Sequence, residues 1–202
     1  STSSATGSGG GGGISAVLCD VELQNVQLTN NIAPKGNGGA ASLTSGAILR
    51  ATQGSSFKGN HARSGGALAC NACTNMTLKN NSRFEKNVAS FNGGAISILN
   101  AETSLTLSVG SIFVGNTALE GDGGAVYYAD NDGKGFWNGA GNVFENNTAK
   151  LGSGGAMAMF GSRLNKPSSC QHNRAPRGGG GCVFWEPLAT NTSSDAWEHF
   201  AP

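Results

Sequence analysis

The sequence predicts an all-β chain, a right-handed parallel β-helix of about six coils with 25–31 residues per coil. Three observations predict it: one block recurs along the chain, apolar residues alternate inside each block, and no segment sustains helical spacing. The recurrence is plain in Phe57–Leu68 (FKGNHARSGGAL), Phe84–Ile98 (FEKNVASFNGGAISI), Phe113–Val126 (FVGNTALEGDGGAV) and Phe144–Met157 (FENNTAKLGSGGAM).

Aligning the copies puts Asn31, Asn60, Asn87, Asn116, Asn147 and Asn173 at one position. Two residues on stand Ala33, Ala62, Ala89, Ala118, Ala149 and Ala175, and three residues before stand Leu28, Phe57, Phe84, Phe113, Phe144 and Cys170. A Gly-Gly pair follows at Gly38, Gly65, Gly93, Gly123, Gly154 and around Gly179, with an earlier copy beginning near Gly12.

Ile96 and Ile98, Val126 and Tyr128, and Met157 and Met159 alternate with small residues, and period two is the mark of a strand. Leu105, Leu107 and Val109 form a second alternating run, and the Phe segment supplies a third short strand. A unit of this size cannot bury its own apolar face, so neighbouring units must stack. Handedness does not follow from spacing; coil length and three strands favour a right-handed winding.

Stacking explains why the block is restated. Each residue then lies about 4.8 Å from its counterparts in the coils above and below. An inward Phe meets a Phe, and an Asn at a bend joins its amide to the next in a ladder. Asn also tolerates left-handed backbone there. Gly-Gly supplies positive φ, or room, where the chain re-enters a sheet. Outward insertions are expected at Cys70–Asn81 and Asp130–Gly139. Residues 1–11 read as a flexible Gly/Ser-rich lead-in, 12–185 as the β-helix, and 186–202 as a cap, a linker or the start of a following segment. With no initiating Met and no signal-peptide pattern, the chain reads as a mature or excised piece.

Thirteen basic residues balance 12 acidic ones, with no run of either sign. That argues against a nucleic-acid face and against an anionic-membrane patch. No apolar stretch approaches the roughly 20 residues a spanning helix needs, so this segment is not expected to insert in a membrane. Asn-x-Ser/Thr acceptors occur at Asn75, Asn80, Asn146 and Asn191. Together with five cysteines they point to an oxidising setting, extracellular or at the cell surface. Cys70 and Cys73 suit a local disulfide pinning an outward loop, with two free thiols as the alternative. Cys170 and Cys182 suit a disulfide sealing the terminal coil. Cys19 has no evident partner and is either a buried thiol or bonded outside the segment.

Candidate chemistry is sparse. Glycosidic hydrolysis needs two carboxylates at a set separation. Glu85 and Glu145 share the position after Phe, two coils apart, and read as solvated turn residues. Asp130 and Asp132 in DNDG make a weak Ca²⁺ candidate that lacks the later acidic ligand, so a plain turn is favoured. His61, His172 and His199 lie in unrelated contexts, and neither metal nor cofactor is expected. Phe136 and Trp137 form a candidate binding pair if exposed, or pack over the flank of the helix. Trp185 and Trp197 are expected to cover the C-terminal end.

Phe-x-x-Asn paired with Gly-Gly-Ala-aliphatic resembles the repeat of the chlamydial polymorphic outer-membrane proteins and of similar algal and protist surface proteins. The residues that carry it are Phe57/Asn60, Phe84/Asn87, Phe113/Asn116 and Phe144/Asn147, followed by Gly65–Leu68, Gly93–Ile96, Gly123–Val126 and Gly154–Met157. The resemblance covers roughly residues 12–185; Leu28 and Cys170 depart from it at Phe positions and Ala41 at an aliphatic one. It implies a surface-displayed passenger or extracellular structural protein, often adhesive, with no catalytic residues to carry over. The expectation is therefore a non-catalytic extracellular scaffold or adhesin segment of a larger surface protein. Its partners would be other chains or further segments of its own, glycans, or host and matrix proteins. The alternatives are a carbohydrate-active β-helix enzyme, although the sequence signatures of polygalacturonases are absent, and the subunit of a surface filament.

Overall fold

A computed structural model describes residues 10–186, apart from 80, 101–104, 108–109, 131–135, 139–140, 162 and 166–168. The described residues contain 24 strands and no helix. They wind as a parallel β-solenoid whose four sheets hold seven, six, six and five strands. In every pair, a strand lies parallel to its counterpart one coil away.

The coil that starts at Leu68 shows the plan. Leu68–Asn71, Asn75–Leu78, Arg83–Glu85 and Val88–Ala89 give one strand to each sheet. Four strands per coil replace the three expected from sequence. The additional one is a two-residue strand straight after the ladder Asn, too short for alternation to reveal. Five coils carry all four strands, close to the six coils expected. A sixth has three strands, with the Thr148–Arg174 bridge in place of the fourth, and Val183–Glu186 opens the next turn.

The register runs like on like. Phe84 pairs with Phe57 and Phe113, and Phe113 with Phe144, while Leu28 and Cys170 occupy the two ends of that column. The four rings are fully buried, with centroids 4.7, 4.8 and 4.7 Å apart and planes within 7° of parallel. That spacing is the distance between hydrogen-bonded strands, so the backbone ladder itself sets the stack. Burying each ring contributes roughly 2–3 kcal/mol. A second inward column holds Leu43, Cys70, Ile98, Tyr128 and Met159, and a third Ala41, Leu68, Ile96, Val126 and Met157, all buried. Burial pushes the Tyr128 phenol well above its ordinary range, with the nearby Asp130 adding to the shift.

The corners are made by backbone, and one sequence expectation changes here. None of the six ladder asparagines has positive φ. The left-handed residue is the one before it: Asn30, Gly59, Lys86, Gly115, Asn146 and His172, with φ between 53° and 64°. The turn therefore finishes before the ladder Asn, whose own backbone is free to extend the hydrogen bonding.

The glycine pair divides two tasks that the sequence left joined. Gly93 takes φ of 65°, which costs an L side chain energy. Its neighbour Gly94 needs room instead, because a Cβ there would collide with the Gly124 carbonyl and with the backbone of Thr117. The register at both ends is also fixed: Gly12 donates to the Gly38 carbonyl as Gly39 does to Gly65, and Gly155 donates to Gly180. The terminal pairs are thus Gly11–Gly12 and Gly180–Gly181.

Candidate functional site

Among the described residues, the most developed polar structure is the asparagine column. In Asn87, Oδ1 accepts both the backbone N–H and the Nδ2–H of Asn60, each at 3.0 Å. Its own Nδ2 donates forward to Asn116 Oδ1 and backward to the Phe57 carbonyl, each at 3.0 Å. Its backbone N–H donates to Asn116 Oδ1 at 3.0 Å, and its carbonyl accepts from Thr117 at 2.9 Å. Every polar atom of a fully buried residue is therefore partnered. The amide cannot be turned over, since Nδ2 would then face a backbone N–H.

The same unit runs from end to end. Nδ2-to-Oδ1 bonds of 2.9–3.0 Å link Asn31, Asn60, Asn87, Asn116, Asn147 and Asn173. Five are fully buried and Asn173 is half-buried. From Asn60 to Asn173, each amide also donates to the carbonyl three residues before its counterpart in the previous coil: Leu28, Phe57, Phe84, Phe113 or Phe144. The repeat's Phe and Asn are thus coupled: one packs its ring, the other binds that residue's backbone.

Two further columns were missed in the sequence although both leave a trace there. Before the glycine pair, Asn92 Oδ1 accepts from Asp122 N–H (2.9 Å), Asp122 Oδ1 from Ser153 N–H (2.6 Å), and Ser153 Oγ from Gly179 N–H (3.1 Å). An oxygen-bearing side chain at that position in successive copies was the signal. Two residues before each Phe, Ser55, Ser82, Ser111 and Asn142 are buried. Ser55 donates to the Thr52 carbonyl (2.9 Å) and Ser82 to the Lys79 carbonyl (3.3 Å), while Asn142 Oδ1 accepts from Ser111 N–H (3.0 Å).

Of the candidate acids, Glu85 and Glu145 do share a column, two coils apart through Val114. Glu85 is bound by Lys58 (3.0 Å) and Arg83 (3.3 Å), with Lys86 at 3.9 Å. The Lys58 hydrogen bond, with Arg83 beside it, holds its carboxyl below the ordinary carboxylate range against the opposing effect of desolvation. A carboxyl so held is an acceptor in a surface ion cluster and poorly suited to donate a proton. Asp130 is buried and Asp132 lies outside the described residues. No group of three or more His, Cys, Asp or Glu suited to a metal ion occurs among the described residues.

Several placements differ from the sequence reading. Cys70 and Cys73 form a disulfide, but they lie in the core rather than on an outward loop. Both are 2% exposed, and Cys70 stands between Leu43 and Ile98. Cys70–Asn81 is accordingly no insertion: it holds the end of one core strand and the strand Asn75–Leu78. Phe136 and Trp137 likewise belong to a strand, Phe136–Asn138, where Trp137 pairs with Leu105 and Leu164. Through Leu105 that backbone register continues to Met76 and Leu49, so the pair lies in a sheet strand rather than in an outward loop. Cys19 is exposed and unpaired, not a buried thiol. Trp185 is half-buried against the core in register with Met159, whereas Trp197 and His199 lie outside the described residues, as do Asn80 and Asn191. His61 and His172 flank ladder asparagines on different coils.

The second disulfide joins Cys170, at the end of the Phe column, to Cys182, which follows the last glycine pair. Both are half-buried. Thiol exchange requires a thiolate to reach the sulfur. Under mild, non-denaturing reduction, Cys170–Cys182 is therefore expected to open well before Cys70–Cys73. Differential alkylation and peptide mass spectrometry read the order, and earlier opening of Cys70–Cys73 would contradict the placement of that bond in the core.

Comparison with protein-family models, with curated proteins and with solved structures found no match to this chain.

Proposed function

We propose that the chain is a non-catalytic segment of a cell-surface or extracellular protein, a rigid scaffold that presents its outward faces for adhesion. The observation that carries this reading is the amide ladder, unbroken from Asn31 to Asn173, running beside four stacked rings. The chemistry repeated in every coil serves cohesion between coils, while the outward residues vary. In a solenoid such nearest-neighbour terms set stability, and a stack of coils makes an extended surface. Two disulfides fit an oxidising compartment. The likeness of the Phe-x-x-Asn and Gly-Gly-Ala motifs to repeats of surface-displayed proteins points the same way. Contacts with other chains, glycans or matrix proteins would then fall on the outward faces.

Labelling intact source cells with a membrane-impermeant amine reagent tests the location, with free thiols blocked at harvest. The expected result is labelled protein from unbroken cells, with Cys70, Cys73, Cys170 and Cys182 all protected as disulfides. Labelling only after lysis, with those four cysteines alkylated, would overturn the reading.

A further inference from the structure

We propose that Asn146 is an attachment site for an N-linked glycan, an inference that rests on the extracellular reading above. Asn146-Asn147-Thr148 is an acceptor triplet whose first two residues have opposite fates in the fold. Asn147 is fully buried in the ladder. Asn146 is exposed at the corner before it, with φ of 55°. Its Nδ2 donates only to Glu145 Oε1, at 3.2 Å and in solvent, so no buried partner is lost when the amide is substituted. The backbone N–H of Asn146 still holds the Gln171 carbonyl at 3.1 Å, leaving the coil's own bonding intact.

The neighbours along the column leave room. One coil away stands Gly115, which has no side chain, and a Cβ there would meet nothing nearer than Lys86 Cγ at 3.6 Å. On the other side stands His172, itself exposed. Asn75, the other acceptor in the described residues, is placed differently: it is half-buried inside a sheet strand, and its Oδ1 takes the Thr77 hydroxyl at 3.3 Å.

The transfer itself needs a transferase and a lipid-linked oligosaccharyl diphosphate. Asn146 Nδ2 bonds to the sugar C1, the C1–oxygen bond to the diphosphate breaks, and the diphosphate leaves with the electron pair. One amide proton passes to a base of the transferase.

A rival explanation is purely geometric. The corner favours Asn or Gly, as Asn30, Gly59 and Gly115 show, and Thr148 shares its column with Thr117. Two variants separate the explanations without disturbing the fold. Asn146→Gly keeps a residue suited to the corner, and Thr148→Val repeats what Val88 already does in that column. Secreting the chain from a eukaryotic host exposes the acceptor to the transferase whatever its native location. Glycopeptide mass spectrometry is expected to find Asn146 modified in most molecules, and more fully than Asn75. Both variants should lose that glycan while secreting at the wild-type level. Asn146 left bare in folded, secreted protein, or less occupied than Asn75, would overturn the proposal. That outcome would leave the surface-scaffold reading standing, because the labelling of intact source cells tests it separately.

Discussion

Replacing Asn87 by alanine is expected to destabilise the protein by on the order of 4 kcal/mol, as would the same change at Asn60 or Asn116, which make the same bonds. The change removes four hydrogen bonds, two onto Oδ1 and two from Nδ2. It strands the backbone N–H and the remaining amide hydrogen of Asn60 in a fully buried site. Each unsatisfied buried donor costs roughly 1–3 kcal/mol, more than the net worth of the bond it lost. Asn173→Ala provides the internal control. It deprives Asn147 of the equivalent acceptor at a half-buried position where water can substitute, so its cost should be about half or less.

Asn87→Asp sharpens the test through pH. The new carboxylate would be buried and would face the Phe57 carbonyl and Asn116 Oδ1, both acceptors. Burial and these neighbours raise its folded pKa above the unfolded value of about 3.9. A raised acid favours folding only while protonated, so the variant loses stability as pH rises from 4 to 7. Urea denaturation at both pH values reads this directly. A variant equally stable at both would mean that the amide is not sealed from solvent.

The columns that sequence revealed are those in which side-chain chemistry repeats. Phe57, Phe84, Phe113 and Phe144 must be alike because each ring is packed by its own copies. The ladder Asn must be alike because accepting a backbone N–H and donating twice takes a carboxamide, and only that of Asn sits on so short a stem. The corner before it was not legible in the same way. Gly59 and Lys86 have nothing in common as side chains, since backbone bonding to the next coil holds the left-handed turn. The two-residue strands were invisible for want of a period. Cys70 misled because its spacing to Cys73 suggests a loop, while its register places it where Leu43 and Ile98 stand. The Phe136–Asn138 strand was hidden because the surrounding Asp130–Gly139 stretch is rich in turn formers. The Ser55, Ser82 and Ser111 column was legible, two residues before each Phe, but small polar residues are so common in this chain that it did not stand out.

Gly94→Ala is expected to be as damaging as any ladder substitution, at more than about 3 kcal/mol, although it adds a single methyl group. The atoms in its way are the Gly124 carbonyl and the Thr117 backbone, with the Thr117 carbonyl carbon 2.6 Å from the added Cβ. Neither can move without breaking the ladder between coils: Gly94 donates to the Gly123 carbonyl at 3.1 Å, and Thr117 to the Asn87 carbonyl at 2.9 Å. Gly54→Ala separates this steric demand from the conformational one. Gly54 has φ of 73° but nothing within 4 Å of an added Cβ, so the substitution should cost only about 1–2 kcal/mol. Thermal melts of the pair decide the matter. A loss at Gly94 no larger than that at Gly54 would contradict the close approach of coils as the reason for the second glycine.

Hydrogen exchange at the side-chain amides tests the continuous ladder most directly, with exposed Asn146 as reference within the same molecule. The Nδ2 protons of Asn60, Asn87, Asn116 and Asn147 should exchange only when coils separate, far more slowly than those of Asn146. If they exchange as quickly as Asn146, the amides are not bonded from coil to coil, and the ladder cannot be what holds the stack together.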